Sequence, residues 1–208
     1  MMDNEASVIL NTQTNKDHFK AIVRDHIKRD GIDALMGWLE TTDFYSAPAS
    51  TRFHESYDGG LCEHSLNVYY HLVHLNRAYG YVCDDEAIAI VALFHDLCKI
   101  SCYDKGFRNV KDDTGTWNKV PTFLWNEQNK FGFHGPKSMY IVMSFMKLDF
   151  NEASAISCHM GIENGSSGSI MDAFRGNILA FLLHMADMAS TINECNEIVL
   201  GKRDDMPS

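Results

Sequence analysis

Two carboxylates and two imidazoles stand where the chain's pattern asks for apolar side chains. His95 and Asp96 interrupt the run Ala87-Ile88-Ala89-Ile90-Val91-Ala92-Leu93-Phe94, and Leu97 follows them. Asp187 lies within Ile178-Leu179-Ala180-Phe181-Leu182-Leu183-His184-Met185-Ala186, with Met188 and Ala189 beyond it. An isolated carboxylate taken out of water is costly unless it is paired or bound to a cation. Two of them, on apolar segments far apart in sequence, suggest a shared cation. His64 enters a third segment, between Leu61-Cys62 and Leu66. A neutral imidazole whose second nitrogen is tied down is the commonest metal ligand. Each residue also has a structural alternative. A buried Asp such as Asp187 can cap a neighbouring helix, and a His-Asp pair recurs by chance. His71, His74 and His184 read as core histidines with satisfied hydrogen bonds, and His18 and His26 as ordinary helix-face residues. The joint occurrence of His64, His95, Asp96 and Asp187 favours the metal.

The segments that must position these residues are helical. Asp17 can cap a helix with the stripe Phe19, Ile22, Val23, His26 and Ile27, which leaves residues 1–16 as a polar, flexible lead. A short helix follows at 32–40. The stretch 45–60, with Pro48 and the Gly59-Gly60 pair, reads as a loop. Residues 61–79 form a long helix that carries His64. The acidic start Asp84-Asp85-Glu86 suits a helix N-terminus, and that helix is expected to run on through His95 and Asp96 to Lys99. Further helices are predicted over 135–147, 149–160 and 177–198, with 163–169 a flexible surface loop and 201–208 a polar tail. One region differs in kind. Residues 107–110 and 116–125 have strand character and flank the turn signal Asp112-Asp113-Thr114-Gly115, which predicts a β-hairpin near 107–125. The fold expected is all-α, a single helical domain over 17–200 with this hairpin inserted.

Bulk properties narrow the function. The 208 residues are 45% apolar, enough for one compact core and short for two. The formal charge of −10 repels phosphate backbones and argues against coating long nucleic acid, while a bound dication can reverse the field locally for a small or single-stranded phosphate ligand. The cysteines Cys62, Cys83, Cys98, Cys102, Cys158 and Cys195 form no CxxC pair, so a zinc knuckle is not expected, and they suit the reduced thiols of a cytoplasmic protein. The N-terminus lacks the marks of a secretory signal, and no run is long enough for a membrane span.

The order of the motif residues resembles the HD-domain superfamily of metal-dependent phosphohydrolases, whose pattern is a His, a His-Asp pair and a distant Asp, all on helices. Gly59-Gly60-Leu61-Cys62-Glu63-His64 looks like its Gly-Gly-Leu-x-Glu-His entry, and His95-Asp96-Leu97-Cys98-Lys99 like its His-Asp-x-x-Lys segment. His134, in Phe133-His134-Gly135, and His159, in Cys158-His159-Met160, appear at two further family positions. The resemblance spans about residues 52–191. One departure is Leu97-Cys98, where the family often has Ile-Gly.

The resemblance implies that His64, His95, Asp96 and Asp187 hold one divalent transition metal, and that His134 and His159, with Asp96 as a bridge, hold a second. Ligands of this type fit Mn, Fe, Co, Ni or Zn. Such a pair generates a hydroxide and clamps phosphoryl oxygens, which makes Asp96 catalytic. Lys99, three residues after Asp96, is placed to neutralise a substrate phosphate, its alternative being a solvated helix-end residue. Arg108 and Asn109 are further candidates for substrate contact. Phe107, Trp117, Phe123 and Trp125 can stack on a base or pack the hairpin itself. The hairpin is expected to overhang the pocket. The implied activity is a phosphomonoesterase or phosphodiesterase acting on a small phosphorylated substrate, a nucleotide or short nucleic acid. The rivals are a di-iron oxygenase built on the same ligands and a catalytically silent nucleotide-binding module.

Overall fold

A computed structural model describes residues 2–51, 55–129, 133–161 and 167–194. Helices α1 (Met2–His26), α2 (Ile32–Leu39), α3 (Gly60–Ala78) and α4 (Asp85–Phe94) come first. After them come strands β1 (Tyr103–Lys111) and β2 (Trp117–Trp125), then helices α5 (His134–Met143), α6 (Phe150–Cys158), α7 (Ser167–Gly176) and α8 (Ile178–Glu194). Among the described residues the expected all-α bundle with one antiparallel hairpin is what the chain forms. None of these helices is long and apolar enough to cross a membrane.

Helix α4, apolar from Ala87 to Phe94 after its acidic first turn, is the central rod, as a helix segment without a polar face must be. It packs against α1, α3, α6 and α8. Asp84 starts it by accepting hydrogen bonds from the Glu86 and Ala87 amides. Phe19 of α1 meets Phe44, Tyr45 and Phe94 edge-on and closes the core at one end. Arg29, in the α1–α2 link, forks onto the buried Glu152 at 2.7 and 2.9 Å and reaches Glu86, fastening that link to α6 and α4.

Several boundaries differ from the sequence reading. Helix α1 begins at Met2 and runs straight through Asp17, so no cap forms there. Helix α4 stops at Phe94, and Leu97–Lys99 form a separate 3₁₀ turn, so the helix predicted through Lys99 is broken at His95-Asp96. Helix α7 was missed, because Ser167, Gly168 and Ser169 at its start read as loop. Its Ile170 is buried, and Phe174 packs on Phe181. The hairpin starts four residues earlier than predicted, at Tyr103, and pairs through to Trp125. Its turn is the predicted one, with Asp112 Oδ1 accepting from Thr114 and Thr116.

Candidate metal centre

The chain enters α3 through two glycines that each answer a steric demand. Gly59 sits at φ +92, and a Cβ on Gly60 would lie 2.1 Å from the Glu55 carbonyl oxygen. That tight turn sets the first turn of α3, from which the buried His64 projects. His95 and Asp96 leave the C-terminus of α4, His159 that of α6, and Asp187 comes from the middle of α8. His134 opens α5, which lies so close to α6 that a Cβ on Gly135 would come 2.3 Å from the Ser157 carbonyl oxygen.

The imidazoles are fixed from behind. His95 Nδ1 lies 2.8 Å from the Ala92 carbonyl and His159 Nδ1 lies 2.7 Å from that of Ile156. A carbonyl only accepts, so each neutral ring keeps its proton on Nδ1 and turns the Nε2 lone pair inward. His64 Nδ1 is tied likewise to the Glu194 carboxylate at 3.0 and 3.2 Å.

Inside this ring the donor atoms fall on two sides of Asp96. Asp96 Oδ2 is 3.5 Å from His95 Nε2 and 3.7 Å from His64 Nε2, and Asp187 Oδ1 is 3.2 and 3.9 Å from His64 and His95. Asp96 Oδ1 faces His159 Nε2 at 3.5 Å and His134 Nδ1 at 3.8 Å. Among the described residues, His95 Nε2, His159 Nε2 and His134 Nδ1 are buried with no hydrogen-bond partner. Orphaned buried polar atoms are rare. Three of them converging on carboxylates make a cavity that a cation completes, so the residues present fit a metal. His64, His95 and Asp187 form one group that could hold it, and His95, Asp96 and His159 another.

The electrostatics carry the same demand. Burial opposes a charged His64, but the Asp187 and Glu194 carboxylates on its two nitrogens outweigh burial and raise it to about 10. Burial likewise works to raise the Asp96 carboxyl, yet the charges of Lys99 and His95 and the His159 contact hold it well below its usual range. His134 goes the other way. Burial above all, aided by Lys99 and the neighbouring rings, overrides the Asp96 charge and lowers it to about 4, leaving a neutral ring with a free lone pair at neutral pH.

Lys99 Nζ is 2.7 Å from Asp96 Oδ2, and both side chains are buried. Cys98, the departure in the motif, is accommodated by the same turn. Its amide donates to Ser138 Oγ at 3.0 Å, and its thiol lies 3.9 Å from Asp96 Oδ1. Burial and the Asp96 charge push that thiol up.

A cavity of about 490 Å³ opens onto the cluster. Asp96, Lys99, His134, His159 and Asp187 form its polar end, and His184, Met160, Met188, Thr191 and Ile192 its rim. Of the residues singled out from sequence, His64, His95, Asp96, Lys99, His134, His159 and Asp187 come together. Arg108 and Asn109 do not. They are exposed on β1, and the hairpin docks elsewhere, through Tyr103 on Ala49, Thr122 on Thr51 and Lys105 on Asp58. The expected overhang is therefore absent from the described lining of the cavity. His74 is an exposed residue, not a core one, and its Nδ1 lies 2.7 Å from the Tyr70 carbonyl. His184 is tied to the His159 carbonyl at 2.6 Å and stacks on Phe174. Sequence reasoning missed Glu194, because a lone Glu between Asn193 and Cys195 carries no local mark of a partner 130 positions away.

The family model for the HD domain matches residues 61–194, which span every residue of the cluster, and the chain belongs to that family of metal-dependent hydrolases. No curated protein and no solved structure matches it.

Proposed function

We propose that the chain is a phosphomonoesterase or phosphodiesterase that acts on a nucleotide or short oligonucleotide, with divalent transition metals held by His64, His95, Asp96 and Asp187 and by His134, His159 and Asp96. The observation that carries this reading is the place of Lys99. Its ammonium is buried at the polar end of the cavity, 2.7 Å from the one carboxylate that faces both halves of the cluster. A cation there neutralises a phosphoryl oxygen as charge builds in the transition state. Metals of this kind supply Lewis acidity and acidify a water at neutral pH. The chain's own part is to hold the ligand rings rigid through Ala92, Ile156 and Glu194, to keep Asp96 ionised, and to exclude bulk water with the rim formed by Met160, Met188 and Ile192. A volume of about 490 Å³ suits a nucleotide-sized ligand.

The test joins elemental analysis to turnover. The purified chain, loaded in turn with Mn, Fe, Co, Ni or Zn, is assayed on p-nitrophenyl phosphate and bis-p-nitrophenyl phosphate while dissolved oxygen is followed. Ester hydrolysis at constant oxygen is expected. Oxygen uptake without hydrolysis by the iron-loaded chain would assign the site to the oxygenase chemistry, and metal-free protein unable to take up any ion would leave a silent module.

A further inference from the structure

The hairpin sorts its residues by face in a way its own packing does not explain. Side chains alternate along a strand, and directly paired residues share a face. The register pairs Phe107 with Pro121, Asn109 with Lys119 and Lys111 with Trp117, so these six residues lie on one face of the outer ribbon. Arg108, Val110, Asn118 and Val120 lie on the other. Nearer the body the first face is used for docking. Tyr103 packs its ring on Trp125, Tyr103 and Phe123 line a hollow against the 43–58 region, and Lys105 pairs with Asp58 at 2.7 Å. Beyond that anchor Phe107 is 66% exposed and Trp117 67%, and Lys111 and Lys119 are exposed too. Lys111 Nζ lies over the Trp117 ring at 5.9 Å from its centroid. A hydrophobic contact for the hairpin's own stability would not leave both rings two-thirds bare.

We propose that this outer face, Phe107, Asn109, Lys111, Trp117 and Lys119, is a binding platform for a short single-stranded oligonucleotide. Flat aromatic side chains stack on any base, and lysines at the same pitch follow the phosphates between bases. The face carries no carboxylate, although the chain as a whole stands at −10. Charge of that sign on this face selects an anionic partner. A second copy of the chain fits poorly, because a two-fold contact through one patch would set lysines against lysines. The acidic turn at Asp112 and Asp113 closes the tip, so the strand crosses the ribbon and does not run off its end. The inference concerns binding alone and does not depend on which reaction the metal centre performs.

The test uses the full chain and a fluorescein-labelled dT8 or U8, read by anisotropy and by quenching of Trp fluorescence. Binding of the single strand, weaker binding of a duplex of equal length, and none of inorganic polyphosphate are expected. Trp117→Ala should weaken binding about tenfold or more, the usual loss for one stacked base. Lys111→Glu/Lys119→Glu should weaken it further and flatten the log–log salt dependence by about 1.4, at about 0.7 per phosphate contact. Both variants should keep the wild-type melting temperature and wild-type turnover of bis-p-nitrophenyl phosphate, since among the described residues the five side chains of this face belong to neither the core nor the cavity lining. Equal affinity for polyphosphate, unchanged binding in the variants, or no binding at all would overturn the proposal. So would a wild-type dimer that the two substitutions dissolve, which would give the face to self-association.

Discussion

Lys99 Nζ and Asp96 Oδ2 stand 2.7 Å apart although the helix that should carry both ends before either of them. The 3₁₀ turn Leu97–Lys99 restores the neighbourhood, since residues three apart in such a turn lie one above the other. The pair sets a contrast between two substitutions. Asp96→Ala removes the carboxylate whose two oxygens face the two halves of the cluster, so metal binding and activity should be lost together. Lys99→Ala should keep the metals and lower phosphate-ester turnover on the order of 10²-fold, or ~2.7 kcal/mol. Lys99→Arg should recover part of it, because the charge persists while the geometry changes. Metal content and steady-state rates in one buffer check all three. An active Asp96→Ala enzyme is incompatible with the metallohydrolase reading.

The second half of the cluster depends on His134, whose side chain is 30% exposed where His159 is fully buried. A ring at the cavity mouth is the easiest ligand to lose without harm to the fold. His134→Ala should reduce bound metal from two equivalents per chain towards one, as read by elemental analysis, with little change in melting temperature. Unaltered stoichiometry would remove His134 from the ligand set.

The sequence showed the site more fully than it showed what supports it. His64, His95, Asp96 and Asp187 were legible because charge within an apolar run is a strong signal. His134 and His159 were legible only through motif resemblance, since neither breaks a long apolar pattern. The supports were not legible. Carbonyls of Ala92 and Ile156 leave no trace in residue type, and Glu194 reaches His64 only through the α3–α8 packing. The hairpin was found from its turn, but its docking on the 45–60 loop is a tertiary fact, and that is why Arg108 and Asn109 were placed at a pocket they do not reach. Helix α7 was hidden by a Gly- and Ser-rich start whose helicity comes from burying Ile170 and packing Phe174 on Phe181.

Glu194 offers a test of the support. It orients His64 from behind, and loss of such a partner typically costs 10–100-fold, about 1.4–2.7 kcal/mol, in metal affinity. Glu194→Ala should therefore weaken metal binding by about that factor in a chelator competition, with full stoichiometry at saturating metal. Glu194→Gln should lie close to wild type, because the amide oxygen still accepts from His64 Nδ1. If both variants bind metal like the wild type, the Glu194 contact does not tune the site.

Glu55 should make stability depend on pH. Its side chain is buried, Oε1 accepts from Asn67 Nδ2 at 3.0 Å, and Oε2 has no partner among the described residues. Burial first, then the charges of Glu194 and Glu63, push its carboxyl up from 4.5 to about 8. The folded chain thus holds a proton that the unfolded chain has released between about pH 4.5 and about pH 8. Stability falls as pH rises wherever the native state binds more protons, so the Glu55 contribution is complete below pH 4.5 and is lost towards pH 8. The slope within that window is at most about 1.4 kcal/mol per pH unit. Glu55→Gln keeps a neutral hydrogen-bonding group of the same shape, and its denaturant midpoint should exceed that of wild type at pH 8 and match it near pH 5. Urea melts of both proteins from pH 5 to pH 9 decide the matter. Parallel pH profiles would mean that Glu55 is ionised in the native state, with the charge of His64 outweighing burial and the Glu194 and Glu63 carboxylates.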